Sequence, residues 1–238
     1  MSDDTTAPLS YRLDGPVAVV TLDDGKANAM GHPVLDGLTE VLERAEGEAT
    51  ALVLAGGARA FSAGYDLAVM TESTAAMQGL VAAGARFLMR LYGSPLPTVA
   101  ACTGHALAGG ALTLLAVDER IGPSDTPAKL GLNEVAIGMP LPIFAIELAR
   151  DRLSPAHLTA ATLGRVYDPE GAVAAGYLDR LVPRAEVVDA AVATATEKAA
   201  LRRGAVGRTK TALRGRTIDH VLATLDDDIA ALTGPEPG

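Results

Sequence analysis

The apolar and polar positions of the chain change period several times. "YRLDGPVAVVTLDD" reads as two strands joined by a tight turn at Asp14-Gly15. "HPVLDGLTEVLERAE" switches to helical spacing: Val34, Leu35, Leu38, Val41, Leu42 and Ala45 fall on one stripe, and the charges fall on the other. Pro33 suits the first turn of that helix. "ATALVLAGG" is a short apolar strand, and "STAAMQGLVAAGARFLMRLYGS" is a long helix. "LPTVAACTG" reads as a buried strand, "LAGGALTLLAV" as a helix with no polar face, and "VDERIG" and "YLDRLVP" as further strands. "SPAHLTAATLG" and "DPEGAVAAG" are short helices with a Ser-Pro or Asp-Pro start and a closing glycine. From about Arg184 onward the pattern is wholly helical. Alternating strands and helices predict an α/β protein with no internal repeat. The first eight residues and those from Gly234 onward are expected to lack order.

The longest apolar run, Pro97 to about Val117, nearly reaches the length of a membrane span. It begins with prolines, lacks flanking Lys or Arg anchors and is broken by Gly104, His105, Gly109 and Gly110, so no span is predicted. A chain of 238 residues that is 49% hydrophobic supports a large core, and with few aromatics that core must be built from Ala, Val and Leu. A net charge of −9 argues against general nucleic-acid binding. The lone Cys102 sits in a predicted strand, where core packing is the expected role. One cysteine and a polar, acidic N-terminus without a signal or transit pattern fit a cytoplasmic protein.

The glycines at 104, 109 and 110 pose a question, because they interrupt the most apolar segment where a strand turns into a helix. The first N–H groups of a helix have no internal partner and carry partial positive charge, so such a corner can bind an anion or an oxyanion. Equally, the glycines can serve only close packing. A second corner, "ARAFSAGYDL", follows the strand "ALVLAGG". Two corners of this kind can aim two main-chain donors at one oxygen, the device that stabilises an enolate. Dinucleotide and P-loop glycine patterns are absent, and "AFSAG" has Ala60 where a nucleophile elbow needs glycine. No His, Cys or Asp cluster has metal-ligand spacing.

These residues resemble the crotonase family of enoyl-CoA hydratases and isomerases. Phe61, Ser62, Ala63, Gly64, Tyr65, Asp66 and Leu67 resemble its F-S/C-A-G-x-D-L motif, and Gly104 to Gly110 resemble its next glycine corner. Lys26, Asn28, Ala29 and Met30 resemble its first loop. "KLGLNEVAIG" and "DPEGAVAAGYLDRLVP" are similar to its later segments. The resemblance spans roughly residues 10 to 183 and implies a repeated ββα spiral core over 1–183. Residues 184–238 would be a C-terminal helical region used for CoA contact and for assembly into trimers or hexamers.

The resemblance also implies the chemistry. The substrate would be an acyl-CoA thioester, with coenzyme A part of the substrate and no separate cofactor. The backbone N–H groups of Tyr65 and Gly109 would hold the thioester oxygen, and Glu134 would be the general acid/base. Ala27, Ala63, Asp66, Leu67, His105 and Leu112 would border the substrate, and Lys26 and Lys210 would meet its phosphates. Hydratases of the family carry two glutamates. Here the position of the first is Leu112, which cannot move a proton. One base suffices to shift a double bond from C3 to C2, whereas hydration uses two most easily. Hydratase, isomerase and a catalytically impaired acyl-CoA-binding protein therefore remain open. His105 and Asp66 are the nearest groups that could hold a water, although a structural histidine and a helix-capping aspartate are the plainer readings. The basic run Arg202, Arg203, Arg208, Lys210, Arg214 and Arg216 can offset the overall negative charge near CoA or simply form a solvated helix face.

Overall fold

A computed structural model describes residues 4–6 and 8–234, the first three by their backbone only. The chain opens with β1 (Asp4–Thr6), β2 (Leu9–Asp14) and β3 (Val17–Leu22), followed by α1 (His32–Glu48). The predicted hairpin forms, with Asp14 opposite Val17. Asp4–Thr6 pairs antiparallel with β2, so these residues are ordered, contrary to expectation; residues 1–3 and 7, and 235–238 at the other end, lie outside the described set.

Three ββα turns follow. They are β4 (Ala51–Gly56), β5 (Ala60–Ser62), then α2 (Leu67–Glu72) and α3 (Thr74–Tyr92); β6 (Thr98–Ala101), β7 (His105–Leu107), then α4 (Gly109–Ala116); and β8 (Glu119–Pro123), β9 (Leu130–Gly131), then α5 (Ile143–Arg152). The first strand of each turn joins one sheet and the second joins another. The large sheet runs β1-β2-β3-β4-β6-β8-β10, the small one β5-β7-β9. From β3 to β10 (Arg180–Val182) the large sheet is parallel. This is the repeated ββα spiral that the sequence resemblance implies. α6 (Pro155–Thr162) and α7 (Pro169–Ala175) lead to β10, and α8 (Val187–Ala199) and α9 (Arg203–Ala230) complete the order. The helical tail is thus a short 3-10 turn and two helices, the second long.

β4 is buried at all six positions, as a strand covered on both faces must be. Its residues divide with period two. Leu52 and Leu54 join the main core with Val20, Leu88 and Leu115, while Ala51, Val53 and Ala55 face Val187, Ala191 and Ala195 of α8. Small residues on α8 let it lie close against the sheet. Every residue of α4 is buried, which explains its missing polar face. Among the described residues no helix is long and apolar enough to cross a membrane.

The basic run on α9 is not a continuous solvent face. Lys210 and Arg214 are only 6% and 3% exposed. Lys210 Nζ donates to Asp118 Oδ2 and to the Leu96 carbonyl, both at 2.9 Å, and Arg214 pairs with Asp118 Oδ1 at 2.8 Å. Asp118 also accepts from the Thr98 amide at 2.8 Å. Burial opposes the charge of Asp118, yet Lys210, Arg214 and this amide outweigh it and hold its carboxyl below the usual range. Asp118 thus ties α9 to the starts of β6 and β8. Asp118→Ala would strand two buried cations, and a loss of about 3–5 kcal/mol is expected in denaturant unfolding. Because the folded-state pKa is depressed, the stabilisation from Asp118 is present above the unfolded carboxylate value of about 3.9 and is lost as pH falls through the folded value. Acid titration of wild type should show this loss, and the variant should lack it.

Candidate active site

The small sheet sets the two glycine corners side by side. β5 pairs parallel with β7, Ala60 opposite His105 and Ser62 opposite Ala106, and β7 pairs with β9. The segments that leave β5 and β7 therefore emerge together, and Gly64 packs directly on Ala108 and the Gly109 amide. The first loop is laced to the same place. Asn28, buried and left-handed at φ 55°, donates from Nδ2 to the carbonyls of Leu22 and Ala60 at 2.7 and 2.9 Å. The Ser62 hydroxyl donates to the Asn28 carbonyl at 2.7 Å. The amide of Met30 donates to Gly64 at 2.8 Å, and that of Asp66 donates back to Met30 at 3.2 Å. This pairing uses the carbonyl of Gly64 and the amide of Asp66 but passes over the amide between them. The amides of Tyr65 and Gly109 have no acceptor among the described residues.

Two of the glycines are explained by what sits beside them. A Cβ at Gly110 would lie 2.2 Å from the Ser62 carbonyl oxygen, so this glycine lets α4 start against β5. A Cβ at Gly84, on α3, would lie 2.1 Å from the Tyr65 hydroxyl oxygen, so the tyrosine ring occupies the notch left there. Ala108, the residue before α4, adopts φ 48° and ψ −123°, a strained conformation for a residue with a Cβ. It turns the chain so that the helix begins at the cavity.

That cavity has a volume of about 480 Å³ and is walled by Ala27, Ala63, Tyr65, Asp66, Leu67, Leu112 and Glu134, among others. Glu134 follows β9 and opens a 3-10 turn, Val135–Ile137. The residue is partly exposed, but its Oε2 is sealed from solvent and has no hydrogen-bond partner. Burial pushes its carboxyl up to about 7. The Tyr65 hydroxyl and Asn133 Oδ1 are likewise buried and unpartnered in the wall. Burial, reinforced by the Glu134 charge, holds the Tyr65 hydroxyl well above the usual phenol range, so it stays protonated. Leu112, only 1% exposed, stands one helical turn after Ala108 and presents no polar atom to the cavity.

Four of the expected residues, Lys210, His105, Lys26 and Gly109, do not border the cavity. Lys210 is committed to Asp118 and Leu96, which removes it from the exposed basic face. His105 lies on β7, where its Nδ1 accepts from the Lys129 amide at 2.9 Å, the structural role. Lys26 is exposed beside Ala27, outside the wall. Gly109 follows the wall residue Ala108, and its amide lies against Gly64. Asp66 borders the cavity but uses Oδ1 to cap α2, accepting from the Ala68 amide at 2.8 Å. Sequence reasoning missed Val81, Asn133, Met139, Phe144 and Leu232 in the wall. The apolar face of α3 carried Val81 in plain sight; nothing in the local pattern marked the others. Cys102 is fully buried, and its thiol is pushed up to about 12 by that burial.

Ala108→Gly should relieve the strained corner and raise stability by about 1 kcal/mol, read as an increase in denaturation midpoint. Gly110→Ala should force β5 and α4 apart. Its thermal midpoint is expected to fall by several degrees. A Gly110→Ala protein with a wild-type midpoint would show that the close approach is dispensable.

Comparison with known proteins places this geometry. The profile of the family described as enoyl-CoA hydratase/isomerase matches residues 12–232. A human protein named "Enoyl-CoA delta isomerase 1, mitochondrial" is 28% identical over 90% of this chain and 72% of its own. Among solved structures, an enoyl-CoA hydratase/isomerase family protein from Pseudomonas syringae superposes with a TM-score of 0.91 at 39% identity, covering 94% of this chain and 98% of that one. Human mitochondrial delta3-delta2-enoyl-CoA isomerase superposes with a TM-score of 0.87 at 29% identity over 93% of this chain and 89% of its own. A match over nearly the whole length, a shared fold and two glycine corners with free amides lead to one conclusion: the chain belongs to the enoyl-CoA hydratase/isomerase, or crotonase, family and is an enzyme of that type.

Proposed function

We propose that the protein isomerises 3-enoyl-CoA to 2-enoyl-CoA thioesters, with Glu134 as the only proton carrier. The observation that carries this reading is the pairing of Glu134, whose Oε2 is sealed and has no partner among the described residues, with a leucine at 112 in one cavity. Glu134 removes a proton from C2. The electron pair of that C–H bond moves into a dienolate, whose oxygen accepts hydrogen bonds from the amides of Tyr65 and Gly109. The same carboxyl returns the proton to C4, leaving the double bond between C2 and C3. One group takes and gives one proton, so nothing else needs to titrate. Its raised pKa matches the requirement of a base that must also act as an acid near neutrality.

The cavity wall supplies the environment for this step. Ala, Leu, Val, Met and Phe exclude water, which strengthens the two amide contacts and protects the dienolate. Lys26, exposed beside Ala27 at the cavity's edge, is the residue we assign to the CoA phosphates. Exposed leucines on α9, Leu213 at 66% and Leu222 at 44%, support association through the C-terminal helices.

The test is product identification after separate incubation with 3-enoyl-CoA and 2-enoyl-CoA. Reaction of the 3-enoyl thioester alone is expected. Formation of 3-hydroxyacyl-CoA from the 2-enoyl thioester at a comparable rate would make the protein a one-glutamate hydratase. Glu134→Gln should lower kcat by about 10²- to 10⁴-fold while acyl-CoA binding by calorimetry persists. Because the base must be ionised to begin, kcat/KM should rise with pH and level off above about 7. Wild-type turnover in Glu134→Gln would remove this residue from the mechanism.

A further inference from the structure

The cavity wall grades from exposed to buried residues. Its outer residues are open, with Leu67 71% and Ile137 48% exposed. Its inner residues are closed off: Val81 is 4%, Phe144 1% and Leu232 5% exposed. Leu232 lies just past the end of α9, far in sequence from every motif that marks the site. It is nevertheless held firmly. Gln78 Nε2, from α3, donates to the carbonyls of Leu232 and Ala230 at 3.0 and 3.3 Å. The Leu232 amide donates to Ile229 at 3.1 Å. Asp228 accepts from the Ile143 amide at 2.7 Å, which fixes the last turn of α9 to the start of α5, where Pro142 and Phe144 also enter the wall. The end of α9 is thus pinned to α5, and the segment after it is pinned to α3, where it delivers one buried apolar side chain to the cavity wall.

We infer that Leu232, seated by Gln78 and Asp228, is the stop that sets the length of acyl chain the cavity accepts. This rests on the reading of the cavity as the acyl site. The reacting carbons lie between the free amides and Glu134, so a chain extended away from them runs toward the buried inner wall. There length is gained by removing atoms from buried wall residues such as Val81, Phe144 or Leu232. Leu232 is the one of the three held by polar contacts to two other helices rather than forming part of a helix, so it is the position at which size can change with least disturbance to the core. The ligands selected are straight, apolar acyl chains, because this end of the wall offers side chains of Val, Phe and Leu.

The experiment measures kcat/KM across 3-enoyl-CoA thioesters of increasing chain length, together with the affinity of saturated acyl-CoAs of the same lengths by calorimetry. Leu232→Ala should move the optimum to chains longer by two or three carbons, each newly buried methylene bringing roughly a fourfold gain. Leu232→Phe should move it to shorter chains. Gln78→Ala, which loosens the seat without touching the chain, should flatten the length profile while leaving kcat on the shortest substrate unchanged. If Leu232→Ala does not fold by circular dichroism, Leu232→Val gives the same comparison with a smaller step. An unchanged length profile in the alanine or valine variant overturns the inference, even with full isomerase activity. Absence of turnover alongside a shifted affinity for saturated chains would overturn the proposed reaction and leave the stop standing.

Discussion

The parallel pairing of β5 with β7 is the constraint on which the site depends. These are three-residue strands with little to hold them individually, yet their register decides where two main-chain amides end up. Gly110 permits the approach of α4 to the Ser62 carbonyl, and Asn28 stitches the first loop to both ends of β5. A site built from backbone groups cannot be adjusted by exchanging a side chain. It is adjusted through strand register, and the glycines and the strained Ala108 are where that register meets the helix.

The electrostatics follow from the same arrangement. The sheet that aligns the amides also brings β9 beside β7, and Glu134 leaves β9 three residues after its end. An apolar wall then raises the proton affinity of a carboxyl whose Oε2 finds no partner among the described residues. At the opposite, starting ends of β6 and β8, Asp118 experiences similar burial but is surrounded by Lys210 and Arg214, and its proton affinity moves the other way. Partnering, more than depth, decides the direction in which a buried carboxyl's proton affinity moves in this molecule.

Much of this was legible in the sequence. Period and punctuation located the hairpin, α1, α3, the all-apolar α4 and every strand of the large sheet but β1. The two corners were visible as glycine clusters after apolar strands, and seven expected residues do meet at one cavity. The small sheet was not legible, because strands of two or three residues carry no period of their own. Lys210 looked like a surface cation because the pattern of α9 gives no sign that its buried partner is Asp118, far away in the chain. His105 stood beside a glycine corner and suggested chemistry, but its Nδ1 is taken by the Lys129 amide and it stays out of the cavity wall, which Leu107, two residues on, does enter. Leu232 escaped notice for the converse reason: a single leucine after a helix has no signal until the fold brings it next to α3 and α5.

The placement of α8 has a consequence for how the molecule is made. Val17, Val19, Val53 and Ala55 form one face of the large sheet, and the helix that shields them emerges from the ribosome long after β3 and β4. The nascent chain therefore carries a bare aliphatic sheet face for most of its synthesis, and neither that face nor the inner end of the cavity can close until α8 and α9 have been translated. Folding of the growing polypeptide is in this sense completed from its late segments, and chaperone occupancy during translation has a defined surface to act on.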